Sequence, residues 1–229
     1  MAPNVTTRAA VHAALGDPVR LSIADDLVCS DRSPKELSER LGIGSNLLAH
    51  HLDVLESAGA VTRITSAGDG RRKYVRLNHD LLAGMLPRPA LPPRVLFLCT
   101  RNSARSQLAA ALWTERTGRQ ASSAGTDPAL RIHRGALAAA RRAGLTLDDH
   151  PPTQVARIPA GTQVITVCDL AHEDLEATTE WWHWSIPDPV PAATSTSFDR
   201  ALRELDHRIT LFSDGAIATT THDQHRRHR

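Results

Sequence analysis

The feature that most restricts this chain is a run of prolines near its middle. Residues 84–94 read GMLPRPALPPR, with prolines at 87, 89, 92 and 93. Proline lacks a backbone N–H and has a fixed φ, so no helix interior or central strand can run through this segment. It predicts an extended, semi-rigid spacer over residues 84–93. The chain must then fold as two bodies with separate cores, and 229 residues are enough for two small domains. The expected division is a first domain over 1–83, the spacer, a second domain over 94–215, and a polar, basic tail over 216–229. The tail ends in THDQHRRHR and is expected to fray.

Bulk charge narrows the partners. The formal net charge is +2, so any face for a polyanion must be local. The three cysteines, Cys29, Cys99 and Cys168, are odd in number and irregularly spaced. That points to reduced thiols and a cytoplasmic protein. No apolar run approaches the ~18 residues of a membrane span, and the N-terminal stretch lacks a signal-peptide core. No membrane association is expected.

The first half has helical periodicity. Val11, Leu15, Val19, Ile23 and Leu27 recur at near-helical spacing, interrupted at Gly16-Asp17-Pro18, where Asp17 can cap a second helix. In SPKELSERLG, Ser33 and Glu36 make a capping box, Pro34 takes the first helical position and Gly42 stops the helix. After a short turn, NLLAHHLDVLESAG places Leu48, Leu52 and Leu55 inward. Helix, glycine turn and helix make a helix-turn-helix. Two alternating segments, AVTRITSAG and RRKYVRLN, then predict a β-hairpin wing with Arg71, Arg72 and Lys73 near its tip.

The strings ALGDPVRLSIADDL, SPKELSERLGIGSNLLAHHLDVLESAGAV and RRKYVRLN resemble the arsenical-repressor (ArsR-type) winged-helix regulators over about residues 8–82. The resemblance implies a homodimer on an inverted repeat of double-stranded DNA, with the second helix of the motif in the major groove. Ser45, Asn46, His50 and His51 would lie near base edges, and Arg63, Arg71, Arg72 and Lys73 would meet phosphates. Metal sensors of that family carry a Cys-x-Cys pair that SPKELSERL lacks. Cys29 stands alone, and the adjacent His50 and His51 leave a helix about 100° apart, so no metal is expected.

The second half alternates strands and helices: RVLFLC, SQLAAALWTERTG, QASSAG, RGALAAARRAG, TQVITVC, LAHEDLEATT, EWWHWSI and TSFDRALRELDHRITLF. This predicts an α/β domain with a four-stranded parallel sheet covered on both faces. Ligands bind at the carboxyl ends of such strands, where Cys99 sits. From Cys99 the chain reads CTRNSARS. A loop from strand to helix can aim successive N–H groups at one point, with the helix N-terminus adding positive potential. Thr100, Arg101, Asn102, Ser103, Ala104 and Ser106 would form that oxyanion nest, and Arg105 would clamp two oxygens. The same field is expected to lower the Cys99 pKa and ready its thiolate for in-line attack.

CTRNSARS, SAGT at 123–126, VITVCD at 164–169 and HWSIPDP at 183–189 resemble the low-molecular-weight phosphotyrosine phosphatase fold, which includes thioredoxin-coupled arsenate reductases. The resemblance runs from Arg94 to Phe212. It implies Cys99 as nucleophile, Arg105 as oxyanion clamp, Asn102 and Ser106 as loop supports, Asp188 as general acid, and a sheet order of 2-1-3-4. Arg101 departs from the glycine of many relatives.

Three functions follow as expectations. A phosphotyrosine phosphatase would have aromatic walls, yet the corresponding places read DPVPAA and GTDPALRIHRG. An arsenate reductase needs a second thiol, and Cys168 ends a strand next to that of Cys99; it is either that resolving thiol or a packing residue. The reductases with three cysteines carry another cysteine where this chain has Leu175. An external reductant (mycothiol, glutathione or a thioredoxin-type protein) would then close the cycle, with no bound cofactor. The third function is an oxyanion-sensing regulator without turnover. The expectation favours an arsenate reductase-like enzyme fused to its DNA-binding regulator, with a phosphatase as the alternative.

Overall fold

The computed structural model describes residues 4–87, 90–147, 150–175, 178 and 180–223, with side chains as far as residue 212. The chain divides into two compact units, Met1–Pro89 and Ala90–Arg229. Arg88 and Pro89 of the expected spacer and residues 224–229 of the expected tail lie outside the described residues.

The first unit has four helices and a hairpin. Helix α1 is Val5–Leu15, capped by Asn4, and α2 is Pro18–Leu27, where the Asp17 side chain accepts from the Arg20 N–H at 3.0 Å. Helix α3, Pro34–Leu41, carries the full Ser33–Glu36 capping box and ends at Gly42, whose φ of 64° only glycine adopts cheaply. Helix α4 is Ser45–Ser57. Strands β1, Val61–Thr65, and β2, Lys73–Leu77, pair antiparallel with Val61 opposite Leu77. The core collects the periodic residues Val11, Ile23, Leu27, Leu37, Leu48, Leu52 and Leu55 with Val75 of the wing. Each such buried aliphatic side chain contributes roughly 1.5–3 kcal/mol. Met85 and Leu86 also pack on this core, so the start of the expected spacer belongs to the first unit.

The second unit is built on a parallel sheet of order β4-β3-β5-β6. Its strands are β3, Arg94–Cys99, β4, Gln120–Gly125, β5, Gln163–Thr166, and β6, Trp182–His183. Helices α5, Arg105–Thr117, α6, Arg134–Arg142, α7, Asp169–Asp174, and α8, Ser195–Asp223, complete it. Numbered within this unit, the strand order is the implied 2-1-3-4. Central β3 is buried from Val95 to Cys99. Phe97 lies between Trp113 and Trp184, ring centroids 5.8 and 5.7 Å away. Phe198, Leu202, Leu205, Ile209 and Phe212 of α8 are all buried, as their stripe predicts.

Several boundaries differ from expectation. The strand expected over 162–168 is only Gln163–Thr166, and Cys168, expected at its end, lies beyond it as the N-cap of α7. The strand expected over 180–186 is only Trp182–His183, because the Ile186 N–H turns back to Trp184 O at 2.9 Å and leaves the ladder. Helix α7 is six residues long. Helix α8 is helical to Asp223, past residue 216, where the polar tail was expected to begin. Among the described residues no helix is long and apolar enough to cross a membrane.

Candidate functional site

The strand-to-helix loop after β3 is held from outside. The carbonyls of Cys99, Thr100, Arg101 and Ser103 accept from the N–H groups of Thr126, Asp127, Ala129 and His133, at 3.2, 2.9, 2.9 and 2.8 Å. In a trans peptide the C=O and the following N–H point opposite ways. The N–H groups of Thr100, Arg101, Asn102 and Ala104 therefore turn away from that segment. The Asn102 N–H reaches Cys99 Sγ at 3.2 Å. Of the inward-facing N–H groups expected of a nest, this one has a partner among the described residues.

Asn102 has a φ of 46°, in the left-handed region. Its side chain stabilises that conformation by bonding in three directions. Nδ2 donates to Ser106 Oγ and Ser123 Oγ, both at 2.9 Å, and Oδ1 accepts from the Thr153 N–H at 2.9 Å. Gln107 Nε2 adds bonds to Asn102 O and Oδ1 at 3.1 and 3.2 Å. Because Ser106 Oγ accepts from Asn102, its own hydrogen is available to Cys99 Sγ, 3.1 Å away. Gly125 lets β4 come this close: a Cβ there would sit 2.6 Å from Thr100 O.

Burial pushes the Cys99 thiol above its ordinary value, while the Ser106 hydrogen bond and the Arg105 charge pull the other way. The expected lowering is therefore corrected: with the sulfur almost fully enclosed, desolvation of the thiolate outweighs both favourable contacts. Arg105 is 8% exposed. Its Nη1 donates to Ile186 O at 2.9 Å and its Nη2 meets Asp188 Oδ2 at 3.0 Å. The two prongs expected to grip an oxyanion thus hold the Asp-Pro segment, which brings Asp188 to the loop. Arg101 points outward and pairs with Asp127. Cys168 is buried and its Sγ lies 3.3 Å from Thr100 Oγ1. All three cysteines are free thiols.

Cys99, Arg101, Ser103, Ala104, Arg105 and Asp188 line a common cavity of about 550 Å³. Sequence reasoning missed its outer wall, which includes Arg131, His133 and Arg134. The only sequence signal for that wall was its place after β4, at the carboxyl edge of the sheet. Thr153 and Gln107 were missed as well; nothing local marks a backbone N–H fifty residues away as a support for Asn102.

In the first unit Ser45, Asn46 and His50 are exposed on α4. His51 is not: it is 7% exposed, with Nδ1 3.8 Å from Asp17 Oδ1. Its placement near base edges is corrected, because one further residue turns it onto the Leu48–Leu52–Leu55 face. Arg63 is half-buried and pairs with Asp53 and Glu56, so its charge is already matched rather than presented to phosphates. Arg71 and Arg72 are exposed beside Asp69, and Lys73 is exposed. Among the described residues no cluster of His, Cys, Asp and Glu could hold a metal ion.

The sequence model described as low molecular weight phosphotyrosine protein phosphatase matches residues 94–216, more than half of the chain. A helix-turn-helix domain matches residues 15–64. A search of curated proteins found no match. Solved structures similar to the chain include an arsenate reductase from Archaeoglobus fulgidus DSM 4304, 27% identical over 50% of this chain and 94% of its own, with a TM-score of 0.43. A thioredoxin-dependent arsenate reductase from Corynebacterium glutamicum is 26% identical over 59% of this chain and 66% of its own, with a TM-score of 0.44. The tyrosine phosphatase Wzb from Escherichia coli K30 is 18% identical over 55% of this chain and 99% of its own, with a TM-score of 0.48.

Proposed function

We propose, on the premise that the chain belongs through residues 94–216 to the low molecular weight phosphotyrosine protein phosphatase family, that its second unit reduces arsenate and its first is an ArsR-type regulator. The observation that carries the reductase reading is the contact between Cys168 Sγ and the loop hydroxyl of Thr100, 3.3 Å, made from the N-cap of α7 just past β5. A second thiol against the anion loop is what a two-electron reduction needs and a hydrolysis does not.

In this mechanism the Cys99 thiol, its pKa raised by burial, passes its proton to the arsenate held by the nest and Arg105, and the sulfur then attacks arsenic. A sulfur–arsenic bond forms, an arsenic–oxygen bond breaks, and the oxygen leaves as water with a proton from Asp188. A second thiolate then attacks Cys99 Sγ. A disulfide forms, and the electron pair of the sulfur–arsenic bond stays on arsenic, which leaves as arsenite. The second thiol is Cys168 or an external one, and an external reductant (mycothiol, glutathione or a thioredoxin-type protein) reopens the disulfide. A phosphatase is the second reading, favoured by Asp188 on the wall of the cavity above Cys99, from which a carboxyl group can pass a proton to an ester oxygen.

The first unit is proposed to bind an inverted repeat of double-stranded DNA as a homodimer in the cytoplasm, through Ser45, Asn46 and His50 at bases and Arg71, Arg72 and Lys73 at phosphates. Turnover of arsenate and of p-nitrophenyl phosphate, each with several thiol donors, separates the enzymatic readings. Cys168→Ser is expected to stop recycling by a thioredoxin-type protein and to leave aryl phosphate hydrolysis in place. Phosphate release without arsenite release under every donor would replace the reductase with the phosphatase. Gel shifts at low salt on the promoter of its own gene test the regulator, and no shift would remove it.

A further inference from the structure

We infer that Arg131, His133 and Arg134 form a subsite at the cavity mouth for an acidic low-molecular-weight thiol, the second reactant at Cys99. This rests on the reductase reading and specifies its co-substrate. The cavity holds about 550 Å³. A tetrahedral oxyanion of five heavy atoms needs on the order of 100 Å³, on the scale of the ~30 Å³ share of one water. Most of the space therefore lies above the anion, between the loop and the 129–134 segment, where a second molecule can reach the sulfur.

Charge on that outer wall is one-sided. The two arginines nearer the loop are already matched, Arg101 by Asp127 and Arg105 by Asp188. Arg131 and Arg134 are exposed and make no ion pair among the described residues. Each guanidinium can take a carboxylate through two parallel N–H bonds.

His133 adds a neutral donor in a fixed place. Its Nδ1 accepts from the Gly135 N–H at 3.0 Å, so in the fitting tautomer the ring proton is on Nε2. Its backbone N–H is bonded to Ser103 O of the loop at 2.8 Å. The ring stacks on Phe198, centroids 4.9 Å apart and planes 17° from parallel. Gly135 makes the stack possible, since a Cβ there would overlap the Phe198 ring. The donor is thus tied to the loop that carries Cys99. Ala129, Ile132 and Val190 line the rest of the wall, which suits a short aliphatic molecule better than an aromatic one.

The chemistry balances with two equivalents of the thiol. The first attacks the arsenylated Cys99 sulfur, forms a mixed disulfide and releases arsenite. The second attacks that disulfide, leaves as the symmetrical disulfide with the first, and returns Cys99 as a thiolate. Arsenate and two thiols become arsenite, one disulfide and water.

The test measures KM for three thiols with arsenate saturating: mercaptosuccinate, 2-mercaptoethanol and cysteamine. Intrinsic thiol reactivity cancels when the ratio of the KM values is compared between proteins. In the wild type the KM of mercaptosuccinate is expected to be about tenfold below that of 2-mercaptoethanol, with cysteamine weakest and the preference shrinking in salt. In the Arg131→Ala/Arg134→Ala double variant the ratio should fall to within about twofold, and the double lysine variant, which keeps the charge, should restore most of it. Equal ratios in wild type and alanine variant overturn the subsite. Absence of arsenite with every thiol and with the protein donor removes the reductase reading and the subsite together.

Discussion

Both units bury an arginine beside an aspartate, and the two pairs do opposite things. In the first unit Arg32 is 3% exposed, with Nε 3.7 Å from Asp26 and Nη1 3.8 Å from Glu36. Its backbone also pairs with Val75, N–H to O and O to N–H, at 3.1 and 2.7 Å. It ties α2, α3 and the wing together and opens on no described cavity. In the second unit Arg105 is nearly as buried, but its partner Asp188 is 39% exposed and stands on the wall of the cavity above Cys99. A buried arginine set between two carboxylates and a strand fastens a fold, whereas one whose partner keeps a face toward a cavity can exchange that partner for an anion. The cysteines repeat the contrast. Burial pushes the Cys29 thiol up to about 12, with Arg32 pulling down and Asp26 adding to the rise. Cys99 is also raised by burial, yet a hydroxyl and an N–H are aimed at its sulfur.

The largest effect that would break this contrast belongs to Cys99. Cys99→Ser should lower turnover of arsenate and of p-nitrophenyl phosphate by on the order of 10⁴–10⁶, as loss of a nucleophile does elsewhere. Oxyanion binding, read by calorimetry, should persist, because the nest and Arg105 remain. Activity within tenfold of wild type would remove the nucleophile.

Arg32→Ala comes next. It removes a guanidinium 3.7 Å from Asp26 and 3.8 Å from Glu36, while Asp26 keeps Arg40 at 2.7 Å and Glu36 keeps its capping-box bonds, so the expected cost is about 1–3 kcal/mol. The lower thermal transition should move down while arsenate turnover at 25 °C is kept. Loss of turnover in a variant that still folds would mean that Arg32 is not confined to fastening the first unit.

A smaller effect is expected at the wing. Arg71, Arg72 and Lys73 changed together to alanine should weaken DNA binding on matched and unrelated sequences alike, and reduce the salt slope by about 2–3. Discrimination lost between sequences, rather than affinity lost on all of them, would move these residues from phosphates to bases.

The smallest effect sharpens the comparison of the cysteines. Cys29 has a folded pKa of about 12 against an ordinary 9.0. An acid raised on folding keeps its proton longer in the native state, so stability is intact below pH 9 and falls as pH rises from 9 toward 12. Its share of that slope is at most about 1.4 kcal/mol per pH unit. Chemical denaturation at pH 8 and pH 10 should show a smaller fall for Cys29→Ala than for the wild type. Identical falls would place the alkaline sensitivity elsewhere.

Much of the candidate site was legible because it is local. The CTRNSARS loop joins a buried strand to a helix within eight residues, so chemistry and geometry share one short segment. The Ser33–Glu36 box and the inward leucines of α4 were legible for the same reason: capping and periodicity act across three or four residues. His51 shows where that reading failed. Adjacent histidines look alike in a string, but a rotation of about 100° places one in water and the other in the core.

The sequence by itself determined that there are two units, where the caps of α2 and α3 in the first stand, and that a cysteine and an arginine flank a strand-to-helix loop in the second. Those properties follow from backbone chemistry and from side-chain spacing along the chain. Only the tertiary structure decided what surrounds the loop. It brought Thr153 to Asn102, Asp188 to Arg105, Cys168 to Thr100 and His133 onto Phe198. It also raised the Cys99 pKa that the loop's field was expected to lower. Each of these depends on which distant segments a parallel sheet sets side by side and on how completely they exclude water, and neither desolvation nor a contact across fifty residues has a local signature in the sequence.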